Sequence, residues 1–115
     1  MSKPKYKLEF LTPAQRELEE IALVHMELVG VESARKITHR IYGALDYLRS
    51  HPNMGVACMD KMLRSQGYRM LICGHYMCAY RLLGETIFVY HIVDGRANYT
   101  QLLADLPMQD DSSND

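Results

Sequence analysis

The chain has 115 residues, 48% of them hydrophobic and 23% charged, and a formal net charge of -1. That length supports one core and not two, and that composition excludes a disordered polymer. The charge speaks against a strongly basic nucleic-acid binder, although three of the 14 acids, Asp110, Asp111 and Asp115, fall in the last ten residues. Without them 13 bases face 11 acids, a weak basic bias in the body that permits RNA binding.

Cys58, Cys73 and Cys78 are odd in number and have no close pair spacing, which reads as free thiols in a reducing compartment. The histidines, His25, His39, His51, His75 and His91, lack ligand spacing, so neither a metal nor another cofactor is expected. No apolar run reaches the ~18 residues of a membrane span, and the N-terminal MSKPKYKLEF has no apolar signal core. The reading is a cytoplasmic protein with no membrane partner.

In chain order, Tyr6 to Leu11 alternates and predicts an opening strand. Thr12-Pro13-Ala14-Gln15 then has the form of a capping box, with a hydroxyl cap, an early proline and a glutamine three residues on. The helix it opens buries Leu18, Ile21, Ala22, His25, Leu28 and Val29, with Glu17, Glu19, Glu20 and Glu27 in solvent. Gly30 closes it. A second helix starts near Val31 to Ser33, buries Ala34, Ile37, Ile41, Ala44, Leu45 and Leu48, and keeps Arg35, Lys36, His39, Arg40 and Arg49 mostly off that row. So short a link makes the two an antiparallel hairpin. Ser50 to Gly55 is a loop, and Val56 to Gln66 carries no clear period.

From Gly67 to Leu103, apolar runs are cut by Gly74-His75 and Gly84-Glu85, both turn-compatible pairs. This predicts an antiparallel meander of Tyr68 to Cys73, Tyr76 to Leu83 and Thr86 to Val93, with the last two strands central because both parities are apolar. Leu102, Leu103 and Leu106 pack a last turn or short helix. Residues 1–106 read as one domain and 107–115 as a disordered acidic tail. The fold class is α+β, an antiparallel sheet of about four strands with the helix hairpin on one face.

The candidate site is Arg69, Arg81, Arg96 and Tyr99, where strand ends meet a polar segment. Arginine forks on neighbouring strands suit phosphate oxygens if they share a face, which depends on register. The alternative for Arg69 and Arg81 is cross-strand pairing with Glu85 or Asp94. A phosphodiester cleavage here would use attack by a ribose 2'-hydroxyl, with arginine stabilising the phosphorane and tyrosine or histidine moving protons. His75 and His91 have suitable imidazoles, and no phosphate loop, carboxylate pair or nucleophile elbow is present.

GYRMLICGHYMCAYRLLGETIFVYHIVDGRANYTQLL resembles the RelE/ParE superfamily of toxins from type II toxin-antitoxin systems, over about Lys5 to Leu106 and most specifically at Gly95-Arg96 with Tyr99, Leu102 and Leu103. The resemblance implies a compact α+β toxin and a cognate antitoxin that wraps it. It also implies one of two targets. RelE-like members cut mRNA on the ribosome, which would make this chain a metal-independent, ribosome-dependent mRNA endonuclease working through Arg69, Arg81, Arg96 and Tyr99. ParE-like members poison DNA gyrase without being nucleases, and an inactive antitoxin-binding module is the third reading. Arg96 sits where the RelE-like nucleases keep a catalytic arginine, and Tyr99 is near their C-terminal tyrosine. This chain has Met77 where their middle strand has an arginine, and Met70 and Leu71 where their first meander strand has a lysine.

Overall fold

The computed structural model describes residues 5–107. The elements in order are β1 (Lys7–Phe10), α1 (Thr12–Leu28), α2 (Val31–Tyr47), β2 (Val56–Ala57), α3 (Lys61–Ser65), β3 (Arg69–Cys73), β4 (Tyr76–Leu83), β5 (Thr86–Asp94) and α4 (Gly95–Asp105). One five-stranded sheet runs β1-β5-β4-β3-β2. The meander is antiparallel as expected, and its hairpins have two-residue turns: Cys73 pairs with Tyr76, and Leu83 with Thr86. Gly74 and Gly84 take φ of +62°, the left-handed conformation that the first turn position of such a hairpin requires.

Three features depart from the sequence reading. The sheet has five strands, because Val56 and Ala57 pair with Met70 and Arg69 at one edge. It is not wholly antiparallel, since β1 lies parallel to β5, Lys7 opposite Thr86 and Phe10 opposite Val89. A strand followed by a helix hairpin re-enters the sheet next to its last strand, so β1 and β5 share a direction. The capping box is not made: the cap of α1 is Leu11, Thr12 is already helical, and no side chain caps the end. Pro13 shapes the first turn, and Gln15 donates instead to Glu19 at 3.2 Å.

The sheet carries a core on each face. On one side α1 and α2 lay Leu18, Ile41, Leu45 and Leu48 over Leu71, Cys78, Tyr80, Ile87 and Ile92. On the other, α3 and α4 bring Leu63, Leu102 and Leu106 onto Tyr68, Met70, Ala79 and Tyr90. Cover on both faces explains why β4 and β5 are apolar on both parities. Between Ala79 and Tyr80 the β4–β5 register shifts: Ala79 faces His91 and Tyr80 faces Val89, so Tyr90 is bulged. The bulge reverses side-chain parity, which puts Ile92 in the same core as Ile87 and Val89.

Of the expected row of α2, Ala34, Ile41, Leu45 and Leu48 are buried at 8% exposure or less, and Ile37 and Ala44 are half-buried against that core. The row of α1 fails at its end, where Leu28 and Val29 are exposed. The hairpin tip extends past the sheet, so the periodic apolar pattern outlasts the surface it could cover. Residues 108–115, most of the expected acidic tail, lie outside the described residues. Pro107 is tied down, its carbonyl accepting from the Tyr68 hydroxyl at 2.6 Å.

Candidate functional site

Register decides the fate of the two sheet arginines. Arg69 lies opposite Tyr80, and Arg81 follows Tyr80 in the strand, so the two side chains leave opposite faces of the sheet. On the hairpin face, Arg69 Nε donates to the Gly55 carbonyl at 2.9 Å and Nη2 to that of Asn53 at 3.1 Å. The Tyr80 hydroxyl joins it, accepting from Gly55 N–H at 2.9 Å and donating to the Pro52 carbonyl at 2.7 Å. Together these two side chains fold the 52–55 loop onto the sheet. Gly55 is required there, because a Cβ would lie 2.6 Å from the Tyr80 ring. Burial pushes the Tyr80 hydroxyl above its usual pKa, which keeps it a neutral donor.

Arg81 is the one charged side chain in the core among the described residues. Its guanidinium donates to the Tyr90 hydroxyl from Nε at 3.0 Å and Nη2 at 2.8 Å, and to the Gln66 carbonyl at 3.3 Å. It lies 4.5 Å from the Tyr68 ring centre and 5.2 Å from that of Tyr90. The two rings meet edge to face at 5.1 Å. A cation without a carboxylate is thus held by two aromatic faces and neutral oxygens. Tyr68 rises to about 12, burial outweighing the nearby cation. Neither Arg69 nor Arg81 forms an ion pair with Glu85 or Asp94, the partners their strand positions had suggested.

The polar segment after the last strand is the first turn of α4. Asp94 caps it, Oδ1 accepting from Arg96 N–H at 3.0 Å. The Arg96 fork turns back on the same carboxylate, Nε at 3.2 Å and Nη2 at 2.9 Å. That hydrogen bonding holds Asp94 down at about 2 and raises Arg96. Both groups remain open to solvent, with the Arg96 side chain 65% exposed. Tyr99 is half-buried on the same helix, but Asn98 between them leaves helical geometry (φ -124°, ψ 15°), so Arg96 and Tyr99 are not phased as neighbours one turn apart.

Met77 packs beneath this turn. A Cβ on Gly95 would lie 2.5 Å from Met77 Sδ, and Gly95 N–H donates to the His75 carbonyl at 2.9 Å. A cation at position 77 would therefore meet the positive end of α4.

Sequence reasoning missed the polar links that join elements here. Tyr76 opens β4 with its hydroxyl 3.0 Å from His25 Nε2, while His25 Nδ1 is 3.0 Å from Ser33 Oγ. Glu17 accepts from Ile92 N–H at 2.9 Å and lies 3.0 Å from His91 Nδ1, pinning α1 to β5 beyond the end of β1. Both histidines thus have defined partners, and their sole signal in sequence was a polar residue within an apolar pattern. Between α1, the end of β5 and α4 runs a cavity of about 380 Å³, floored by Ile21, Ile92 and Leu102 and walled by Glu17, Glu20 and Asp105. Its acidic wall suits no phosphate.

A five-stranded sheet with a helix hairpin on one face and a C-terminal helix on the other, its surface arginine at the head of that last helix, defines a small protein of the α+β class. Residues 8–99 match the family described as the ParE toxin of type II toxin-antitoxin system, parDE. The chain belongs to the ParE toxin family, within the RelE/ParE superfamily. A solved structure described as the chromosomal ParDE TA system from P. aeruginosa is similar in fold, with a TM-score of 0.66 and 21% identity over 80% of this chain and 98% of that one. No curated protein matches the chain in sequence.

Proposed function

We propose that this toxin acts by binding DNA gyrase rather than by cutting mRNA, and that a cognate antitoxin restrains it. This places its action in the cytoplasm, where its target is. The observation that carries the reading is the state of the sheet cations. Arg69 and Arg81 leave opposite faces and are spent on loop carbonyls and a tyrosine hydroxyl, while the position of a middle-strand cation is taken by Met77, half-buried against Gly95. An in-line phosphoryl transfer draws on charged and proton-moving groups that converge on one phosphate. Of the three candidate arginines Arg96 is the exposed one, and its pairing with Asp94 is weak enough to exchange for a carboxylate of a partner. In this reading Arg96 and Tyr99 are contact residues on the target-facing end of α4.

The test is brief induction in a bacterial host lacking the antitoxin, with mRNA 5' ends and chromosome breaks read in parallel. Broken chromosomes with intact mRNA are expected, together with inhibition of purified gyrase that Arg96→Ala weakens. New mRNA ends clustered within translated codons would overturn the proposal and restore the nuclease. Absence of both effects would overturn it in favour of an inactive antitoxin-binding module.

A further inference from the structure

β1 ends at Phe10 while β5 runs on to Asp94, so α1 and α4, on opposite faces of the sheet, flank a stretch of β5 that no described strand covers. Glu17 reaches into the gap and takes the Ile92 N–H at 2.9 Å. What remains is the groove of about 380 Å³, with Ile21, Ile92 and Leu102 on its floor and Val24, 49% exposed, at its rim. That volume admits a few side chains of a partner segment.

Four carboxylates line the groove, Glu17, Glu20, Asp94 and Asp105, and no lysine, arginine or histidine does. Two of them are engaged, Glu17 with His91 and Asp94 with Arg96. The other two are exposed and in no described ion pair. Glu20 stands on α1, and Asp105, which accepts from the Gln101 amide at 2.8 Å, stands on α4. Each wall thus offers a carboxylate beside an apolar floor. Such a surface is complementary to aliphatic carbon that carries cationic heads at its flanks, the make-up of lysine and arginine side chains set among apolar ones.

We propose that this groove docks a short segment of a partner protein, apolar with lysine or arginine on its flanks, whose aliphatic carbons lie against Ile21, Val24 and Leu102 and whose cations stand beside Glu20 and Asp105. Docking here does not depend on gyrase being the target. Selection rests on the carboxylates, since an acidic segment would be repelled from both walls.

The experiment is fluorescence anisotropy of a labelled peptide of leucine, alanine and lysine, its lysines flanking an apolar stripe, titrated with the full chain separated from its antitoxin. Saturable binding is expected, with NMR shift changes at the Val24, Val93 and Gln101 amides, and none for the same peptide with glutamate in place of lysine. Glu20→Lys combined with Asp105→Lys weakens binding roughly 10-fold or more with an unchanged circular dichroism spectrum, since both side chains are exposed. Glu19→Lys combined with Glu27→Lys, an equal change of charge at exposed positions outside the groove, leaves binding as it was. Failure of the lysine peptide to bind overturns the proposal, as does binding that both double variants weaken alike, which is attraction by net charge only. A dimer of the isolated chain that the groove variant dissociates also overturns it, and gives the groove to a second copy.

Discussion

Replacing Arg81 by alanine separates a core role from a catalytic one. The wild-type side chain makes three hydrogen bonds to Tyr90 and Gln66 and packs against the Tyr68 ring, in a residue only 6% exposed. Alanine removes stem and fork together. It leaves a void between two aromatic rings and strips a carbonyl and a hydroxyl of their donor, against which the cost of burying a cation disappears. Void and unmet acceptors outweigh that relief, for a net loss of about 3 kcal/mol. In a chain of this size that lowers the unfolding midpoint by roughly 10–20 °C. Arg81→Met keeps the stem's volume and loses only the fork, so its loss is smaller, about 1–2 kcal/mol. Thermal and urea unfolding followed by circular dichroism read both variants. An Arg81→Ala protein that unfolds within about 0.5 kcal/mol of wild type, yet has lost toxicity, refutes the core assignment and returns Arg81 to the active surface.

Gly95→Ala drives a methyl into Met77 Sδ. It should destabilise by about 1–2 kcal/mol, most of it recovered when Met77→Ala is added, so the two changes are strongly non-additive in a double-mutant cycle; additive losses would mean that the contact does not matter. For Asp94 the folded value of about 2 lies below the ordinary 3.8. Its contribution to stability is therefore complete above the unfolded value and is lost as pH falls through about 2. A carbon-detected NMR titration should place its midpoint near 2 in wild type and return it toward 3.8 in Arg96→Ala. An unchanged midpoint in the variant refutes Arg96 as the cause.

Much of the fold was legible because its signals are local. Gly74-His75 and Gly84-Glu85 specify two-residue hairpins by backbone geometry alone, and the three- and four-residue spacing in α2 names its buried row without a partner in view. The limits of such signals appear at α1. Thr12 to Gln15 has the composition of a capping box, but the cap is set one residue earlier by where β1 ends. Leu28 and Val29 continue the apolar period past the sheet edge, since periodicity cannot say where the packing surface stops. The segment 56–66 showed no period because its strand is two residues long and its helix five.

The amino-acid sequence by itself determined an α+β chain of one hairpin and one meander, its RelE/ParE-like closing motif and the four residues worth placing. Tertiary structure alone decided where those residues lie and what they bond to. A strand's side chains alternate, so one residue of register sent Arg69 to a loop and Arg81 into an aromatic core on the other face. The bulge at Tyr90, which brought its hydroxyl to Arg81, and the seating of Gly95 on Met77 arise from contacts between separate elements. Such contacts depend on how whole elements stack, and that information is spread over the chain rather than carried by any short stretch of it.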